Sequence, residues 1–434
     1  MTQTHFFNAF ASARSSSDPV WLNRIKESAR ERFTQLGFPT MRDEEWRYTN
    51  VTRFEETPFH SASFFPELSQ VQIKPFSFGA VNWPTLVFVN GRFVPELSSS
   101  PKNHKGLYIG SLHQALVSNP KLLEAHLNRY AKQDAFTALN AAFVKEGALI
   151  YLPEEETVNE PIHLIFVSAS SGQNALIQPR NLIVAGPKSK ATVVESYVAI
   201  NGTTYFTNSV TEILAGEEAN IDYYKIQREG TEAFHIGTTQ VELQRAAAFN
   251  SVSVSLGARL SRHNVNVHLG AEDAQCELNG LYLGSGVQHM DHHTFVDHPK
   301  PRGTSHQLYK GILSGEASGV FSGKIFVREG AQKTDAHQTN KNLLLSEKAT
   351  ADTRPQLEIL ADDVQCTHGA AVGQLDESVI FYLKTRGIGF EAARRILCYG
   401  FAKEVIERIK IPAISEELDR LILSQFSDPV YWEH

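Results

Sequence analysis

The sequence predicts a mainly β chain, a solenoid of short stacked strands with helical regions at both ends. Three observations carry this. Between about residues 147 and 383, short strand-like runs follow one another and no long helical pattern interrupts them. A related turn signal recurs there, as Leu214-Ala215-Gly216-Glu217-Glu218-Ala219, Leu269-Gly270-Ala271-Glu272-Asp273-Ala274, Leu313-Ser314-Gly315-Glu316-Ala317 and Leu345-Ser346-Glu347-Lys348-Ala349. Many of the intervals fall near ~25–35 residues, the range of repeat architectures. Outside that stretch, apolar residues return at helical spacing. A single coil of such strands cannot bury its own inner face, so coils stack ~4.8 Å apart and bury a continuous column. A β-sandwich uses the same short strands and turns, and periodicity does not separate the two.

In chain order, the opening MTQTHFFNAFASARSSS is too polar for a secretory signal and reads as a disordered lead-in. A helix follows, with Asp18 as cap, Pro19 as first residue, and Gly37 and Pro39 as stop. Trp21, Leu22, Ile25, Ala29, Phe33 and Leu36 form its apolar face. An aromatic and acidic patch comes next, Asp43-Glu44-Glu45-Trp46-Arg47-Tyr48. Residues 85–89 and 92–94 then flank Asn90-Gly91, whose positive φ angles suit a type I′ hairpin turn. Residues 111–144 are helical in texture. Strand-like runs occupy 148–152, 163–167, 191–198, 221–226 and 278–283. The tail, 391–409, is helical with Ile396, Leu397, Phe401, Val405, Ile406 and Ile409. Pro412 breaks it, and Ser415 caps a second helix carrying Leu418, Leu421, Ile422 and Phe426. The expected division is a helical region with a hairpin at 1–146, the β core at 147–385 and a helical region at 386–434. The flanking helices would shield the strand edges at the solenoid ends.

With 42% hydrophobic and 21% charged residues, the chain can bury a sizeable core. No run of eighteen apolar residues marks a transmembrane helix. A net charge of −7 argues against a general nucleic-acid binder. Three cysteines, Cys276, Cys366 and Cys398, are too few and scattered for a disulfide framework or a CxxC zinc site, which fits a reducing cytoplasm. There is no P-loop and no GxSxG elbow, and Gly387-Ile388-Gly389 lacks the third glycine of a dinucleotide loop.

Two constellations could carry chemistry. His289, Asp291, His292, His293, Asp297, His298 and His306 form the densest group of potential ligands. His292 and His293, being adjacent, would face opposite sides of a strand, so a polar ladder or a subunit contact competes with a metal site. In Cys366-Thr367-His368, a strand would turn Cys366 and His368 to one face, where thiolate and imidazole suit soft or borderline metals. The competing reading is a buried cysteine beside a hydrogen-bonded histidine. Cys276 and Cys398 read as core residues.

Longer motifs carry a resemblance. The stretches Asp291-His292-His293-Thr294-Phe295-Val296-Asp297-His298, Gln307-Leu308-Tyr309-Lys310-Gly311, Gln332-Lys333-Thr334-Asp335-Ala336 and Pro355-Gln356-Leu357-Glu358-Ile359-Leu360-Ala361-Asp362-Asp363-Val364-Gln365-Cys366-Thr367-His368-Gly369-Ala370 resemble the SufB/SufD family of iron–sulfur cluster assembly scaffolds. Tyr382-Leu383-Lys384-Thr385-Arg386-Gly387-Ile388 and the N-terminal Glu44-Glu45-Trp46-Arg47-Tyr48-Thr49 match it too. His368 and the low cysteine count are most like the SufD branch. The resemblance implies a right-handed parallel β-helix with helical regions at both ends. It implies a non-catalytic scaffold for iron acquisition and de novo cluster assembly, paired with a SufB-like subunit and with a SufC-like ATPase that hydrolyses the ATP. It implies His368 as metal ligand, with Cys366 a weaker second, facing a cysteine of the SufB-like partner. No tightly bound cofactor is expected on the isolated chain, only transient iron or an Fe–S cluster at the subunit interface. A homodimer of the isolated chain is admitted; nucleic acid and membrane are not expected partners. The ATPase dock is expected on 389–426, using Phe401, Val405, Ile406, Ile409, Leu418, Leu421 and Ile422. The SufB-like partner is expected to pair with 356–369, Val364 supplying part of the shared sheet. The rivals are a β-helix polysaccharide enzyme, which needs clustered carboxylates and a secretion signal, and a hexapeptide-repeat acyltransferase, which needs a six-residue period.

Overall fold

The computed structural model describes residues 18–62, 66–80, 82–99, 106–169, 174–200 and 202–426. The expected lead-in before Asp18 lies outside the described residues. The N-terminal region contains α1 (Val20–Leu36), α2 (Thr52–Glu56), β1 (His60–Ser61), α3 (Gln70–Ile73), β2 (Thr85–Val89), β3 (Arg92–Phe93), β4 (Tyr108–Ser111), α4 (Leu112–Ser118), α5 (Pro120–His126) and α6 (Ala135–Ala142). The core runs through β5 (Ala148–Leu152), β6 (Ile162–Ser168), β7 (Ala175–Ile177), β8 (Arg180–Ala185), β9 (Lys190–Ala199), β10 (Tyr205–Ala215), β11 (Asn220–Arg228), β12 (Phe234–Leu243), β13 (Ala248–Ser255) and β14 (Leu260–Leu269). It continues through β15 (Gln275–Gly284), β16 (His289–His298), β17 (Thr304–Leu313), β18 (Ser318–Val327), β19 (Asp335–Leu344), β20 (Thr350–Ile359) and β21 (Gln365–Gly373). Helices α7 (Glu377–Thr385), α8 (Phe390–Ile406) and α9 (Pro412–Gln425) close the described chain.

The core is a parallel β-solenoid, not a sandwich. Successive strands alternate between two sheets, so each strand pairs with the next but one: even-numbered strands β8 to β20 build sheet A and odd-numbered strands β9 to β21 build sheet B. The register is continuous: Phe206 pairs with Phe234, Phe234 with Leu260, Leu260 with His289, His289 with Ser318 and Ser318 with Thr350. Each coil therefore takes about 30 residues, as repeat architectures do. The hairpin turn forms as expected, with positive φ at Asn90 and Gly91, but its first strand is also the parallel neighbour of β6.

The recurrent turn signal marks two different corners. Leu214 to Ala219 and Leu269 to Ala274 turn the chain from sheet A to sheet B, whereas the signals at Leu313 and Leu345 turn it from B to A. At the A-to-B corner, Lys188, Glu218, Ala246, Asp273, Arg302 and Lys333 take positive φ. A left-handed residue with a Cβ is costly. Each of these offsets the cost by donating its N–H to a carbonyl of the following coil: Glu217, Arg245, Glu272, Pro301, Gln332 and Asp363 respectively.

Alternate residues of every strand face the interior, and near the A-to-B corner they are apolar: Ile213, Val241, Val265, Val296 and Ile325 belong to one continuous core. The outer faces of the sheets are covered as well. Phe33 of α1 and Phe136 and Leu139 of α6 pack on Phe206, Phe234, Ile236 and Leu260 of sheet A. Cys398, Val405 and Ile406 of α8 and Leu418 and Ile422 of α9 pack on Val252, Val254, Leu281, Leu283 and Ile312 of sheet B. The helices thus cover the sides of the solenoid rather than its ends. A flat apolar sheet face is a larger burial site than a strand edge, which decides where an amphipathic helix goes.

Two helix starts differ from expectation. Pro19 is the N-cap of α1, and Asp18 makes no cap but pairs with Lys26 Nζ at 2.6 Å. Pro412 begins α9 instead of ending a helix, because its missing N–H has no partner to lose in a first turn. Ser415 lies inside that turn and donates to Pro412 O.

Candidate functional site

The final strand carries the expected ligands. The corner at 360–364 tucks Ala361 and Val364 against the last coil, and Gln365 N–H then donates to Thr334 O to start the ladder with β19. Val364 therefore sits in the corner before β21 and does not belong to the strand. Cys366 stands beside Ala336, which follows Ser305 and Cys276 in an inward-facing row. His368 stands beside Gln338, which follows Gln307 and Leu278 in the next inward row. Both side chains thus lie on the inner face, at the coil where the solenoid stops. His368 is exposed there, and Cys366 is partly buried. Burial, helped by Asp335, raises the Cys366 pKa, so the free chain holds it as a thiol. A metal ligand would have to lose that proton on binding. Cys276 and Cys398 are buried in the two cores, where burial raises their pKa values, that of Cys398 to about 12.

Among the described residues, no strand pairs with the edge beyond β21. Alternation along a strand sends the N–H groups of Thr367, Gly369 and Ala371 toward β19, as Gln365 N–H goes, and those of Cys366, His368, Ala370 and Val372 away from it. Gln365-Cys366-Thr367-His368-Gly369-Ala370-Ala371-Val372-Gly373 contains no lysine, arginine, aspartate, glutamate or proline, the usual guards of an edge strand. Strand β20, the edge of sheet A, does carry Pro355, at a position whose N–H would point outward.

The histidine-rich strand β16 is split between its two faces. His292 and His298 point inward; burial lowers both to pKa values of about 4, so both are neutral imidazoles. His292 stacks on Tyr282 with centroids 4.9 Å apart, and His298 shares a 2.9 Å hydrogen bond with Ser305. His289, Asp291, His293 and Asp297 point outward; the first three grip the N-terminal segment at Glu45 and Thr49, and Asp297 pairs with His268 and Arg328. Thr49 donates to Asp291 at 2.6 Å and contacts His289 Nε2 at 2.9 Å. Arg262 donates to Asp291 and to Glu45 O, and its guanidinium lies 3.7 Å from the Trp46 ring centre. Burial opposes the Asp291 charge, but Arg262 and His293 outweigh it and hold the carboxyl below the usual range. These residues form a clasp between sheet A and 44–49, and the seven do not converge on one point.

The inward face also carries a polar column toward the B-to-A corner. Glu195 accepts from Thr211 and Tyr223, Lys225 donates to Ser209 and lies over the Tyr197 ring, and His235 pairs with Glu229. Burial lowers Lys225, His235 and His263. Among the described residues, three potential ligands converge elsewhere, on the outer face of sheet B: His306, Asp335 and His337. The sequence reading missed Asp335 and His337. Their signal was legible only once β17 and β19 were known to be neighbours, because 31 residues separate His306 from His337 in the chain but one ladder step separates them in the sheet.

The chain matches two family models that together span most of its length: the SufBD protein N-terminal region over residues 2–164, and the SufBD core domain of SUF-system FeS cluster assembly over residues 166–401. The chain belongs to the SufBD family. It is SufD-like. The Escherichia coli iron–sulfur cluster assembly protein SufD is 30% identical over 95% of this chain and 93% of its own length. An iron–sulfur cluster assembly SufBD family protein of Synechocystis is 32% identical over 95% of this chain and 92% of its own. Protein ABCI7, chloroplastic, of Arabidopsis thaliana is 30% identical over 92% and 85%. In this SufBD chain the two family segments meet inside β6, and the core segment extends from there into α8. No helix among the described residues is long and apolar enough to cross a membrane.

Proposed function

We propose that this chain is the SufD-type scaffold subunit of an iron–sulfur cluster assembly complex, joined edge to edge to a SufB-like subunit through β21. The bare edge of that strand carries the reading: an unguarded row of backbone donors and acceptors is a liability unless another chain covers it. His368 and Cys366 lie where the interior opens at the junction, so transient iron or a nascent cluster would complete its ligand set from the partner. Among the described residues no third ligand joins them from this chain, in keeping with a shared site. Imidazole ligation is compatible with iron and more labile than thiolate, which suits a site that releases its product.

The ATPase dock is proposed on α7–α9. The apolar residues named for it from the sequence, Val405, Ile406, Ile409, Leu418 and Ile422, are consumed by sheet B. Val379, Phe381, Tyr382, Phe390, Ile396 and Leu423 are exposed in this region, and Phe381, Tyr382, Phe390 and Ile396 are the contact we assign to the ATPase.

The test pairs two variants. Ala370→Pro removes an outward N–H and spares the bonds to β19, so the chain should fold normally and lose the SufB-like partner on co-purification. His368→Ala should assemble at normal stoichiometry and lose iron acquisition or cluster formation sharply, with Cys366→Ser less affected. Undiminished pairing of Ala370→Pro, or normal cluster assembly by an intact His368→Ala complex, would refute the respective part.

A further inference from the structure

The outer face of sheet B, beside the edge strand, holds a trio that the assembly reading does not use. His306 of β17 and His337 of β19 are register partners, and their rings lie 5.0 Å apart with a 54° tilt. Asp335 stands two residues before His337 on the same face and reaches both. Its Oδ1 is 2.8 Å from His337 Nε2, and its Oδ2 is 3.7 Å from His306 Nε2. All three ligand atoms lie within 4.8 Å of one another.

We propose that His306, Asp335 and His337 bind one borderline divalent transition-metal ion, of the class of Zn2+ or Fe2+. Two imidazoles and one carboxylate are the ligand set such ions take when positions are left open for water or another ligand. The distances fit. A tetrahedral centre with bonds of ~2.0–2.1 Å holds its ligand atoms ~3.3 Å apart. The two spans here, 2.8 Å from His337 to Oδ1 and 3.7 Å from His306 to Oδ2 of the same carboxylate, bracket that value.

Two further observations point to an ion. Asp335 Oδ1 is shielded from solvent and receives no well-directed hydrogen bond, although His337 Nε2 is close. A cation between the three groups would satisfy it. The other nitrogen of His337, Nδ1, lies 2.6 Å from Thr367 Oγ1. With Nδ1–H donating to that hydroxyl, the Nε2 lone pair is turned toward Asp335, which is how outer-shell partners fix the tautomer of a ligating histidine. Nearby, Glu277, the register partner of His306, is occupied by Arg408 at 2.8 Å. The side chains of the trio are roughly half exposed, so an ion can enter from solvent.

Thr367 ties this site to the edge strand: its side chain holds His337 on the outer face, while its neighbours Cys366 and His368 point to the inner one. A bound ion would stiffen β21 from the side opposite the proposed junction. The inference does not depend on cluster assembly, and its test reads metal alone.

Titrate the isolated full-length chain with Zn2+ by calorimetry and with Co2+ by visible absorption. Wild type should take up one equivalent of either ion, Co2+ giving the ligand-field bands of a low-coordinate site. His306→Ala and His337→Ala should each weaken binding more than tenfold, and Asp335→Asn should do the same. Thr367→Val should weaken it by ~10–100-fold without touching a ligand. Cys366→Ser and His368→Ala should leave it unchanged. No saturable uptake by wild type, uptake unaltered in His337→Ala, or uptake lost only with Cys366 or His368 would overturn the site.

Discussion

At the scale of single residues, burial and pairing set the charge states along β16. Asp297 shows the balance most clearly. Burial would raise its pKa, but Arg328, bonded through Nε at 2.8 Å and Nη2 at 2.7 Å, and His268 at 3.0 Å outweigh it, and the carboxyl is lowered to about 2. An unfolded aspartate titrates near ~3.9. The folded state therefore binds this proton less readily, and the stabilisation is whole above pH ~4 and lost as pH falls toward 2. Denaturation midpoints of wild type and Asp297→Asn should differ most above pH 4 and converge toward pH 2.5. A gap that stays constant over that range would show that the carboxylate charge contributes nothing. The sequence marked Asp297 as one of seven candidate ligands. That the seven could not all share one face was legible from alternation, since His292 and His293 had to diverge; which of them faced inward was not. Nor was it legible that His289, Asp291 and His293 hold Glu45 and Thr49, because some 240 residues separate the two halves of the clasp.

At the scale of elements, α8 and α9 are structural parts of the solenoid, whatever else they bind. Ile406 and Ile422 are fully buried against sheet B, so Ile406→Ala should destabilise the chain by about 2–5 kcal/mol. Urea denaturation measures this directly, and a change under 1 kcal/mol would mean that the helix is loosely held. Their helical period was readable from the sequence, and so was the excess of apolar surface over what two helices bury on each other. What covered that surface was not readable, because an apolar stripe is the same stripe whether it meets a sheet or another protein. The turn signals behaved likewise. Their recurrence announced a coil, but Leu269-Gly270-Ala271-Glu272-Asp273-Ala274 and Leu313-Ser314-Gly315-Glu316-Ala317 serve opposite corners. These two turns ask for the same thing, a tight reversal with one residue at positive φ, Asp273 in the first and Gly315 in the second.

At the scale of the whole molecule, the solenoid is finished at one end and, among the described residues, open at the other. The N-terminal end is closed by antiparallel strands, β3 on sheet B and β4 on sheet A. At the other end β21 is exposed along almost its whole length. Without a partner, that edge should pair with itself. Sedimentation of the isolated chain should show concentration-dependent dimers, and Ala370→Pro should shift them to monomers. A wild-type chain that stays monomeric at high concentration would mean that the edge is protected in some other way.

The sequence by itself determined the mainly β class, the helical ends and the strand bearing Cys366 and His368, because period and turn chemistry are local and survive without a fold; the choice of solenoid over sandwich came from the family resemblance and not from the period. It also named the family, through long ordered motifs. Only the tertiary structure decided which faces the helices cover, that the histidine strand clasps the N-terminal region, and that His306, Asp335 and His337 meet. The physical reason is the coil. Stacking turns of about 30 residues makes neighbours of residues that no local pattern connects, and a site assembled across turns is a property of the register, which exists only once the chain has wound.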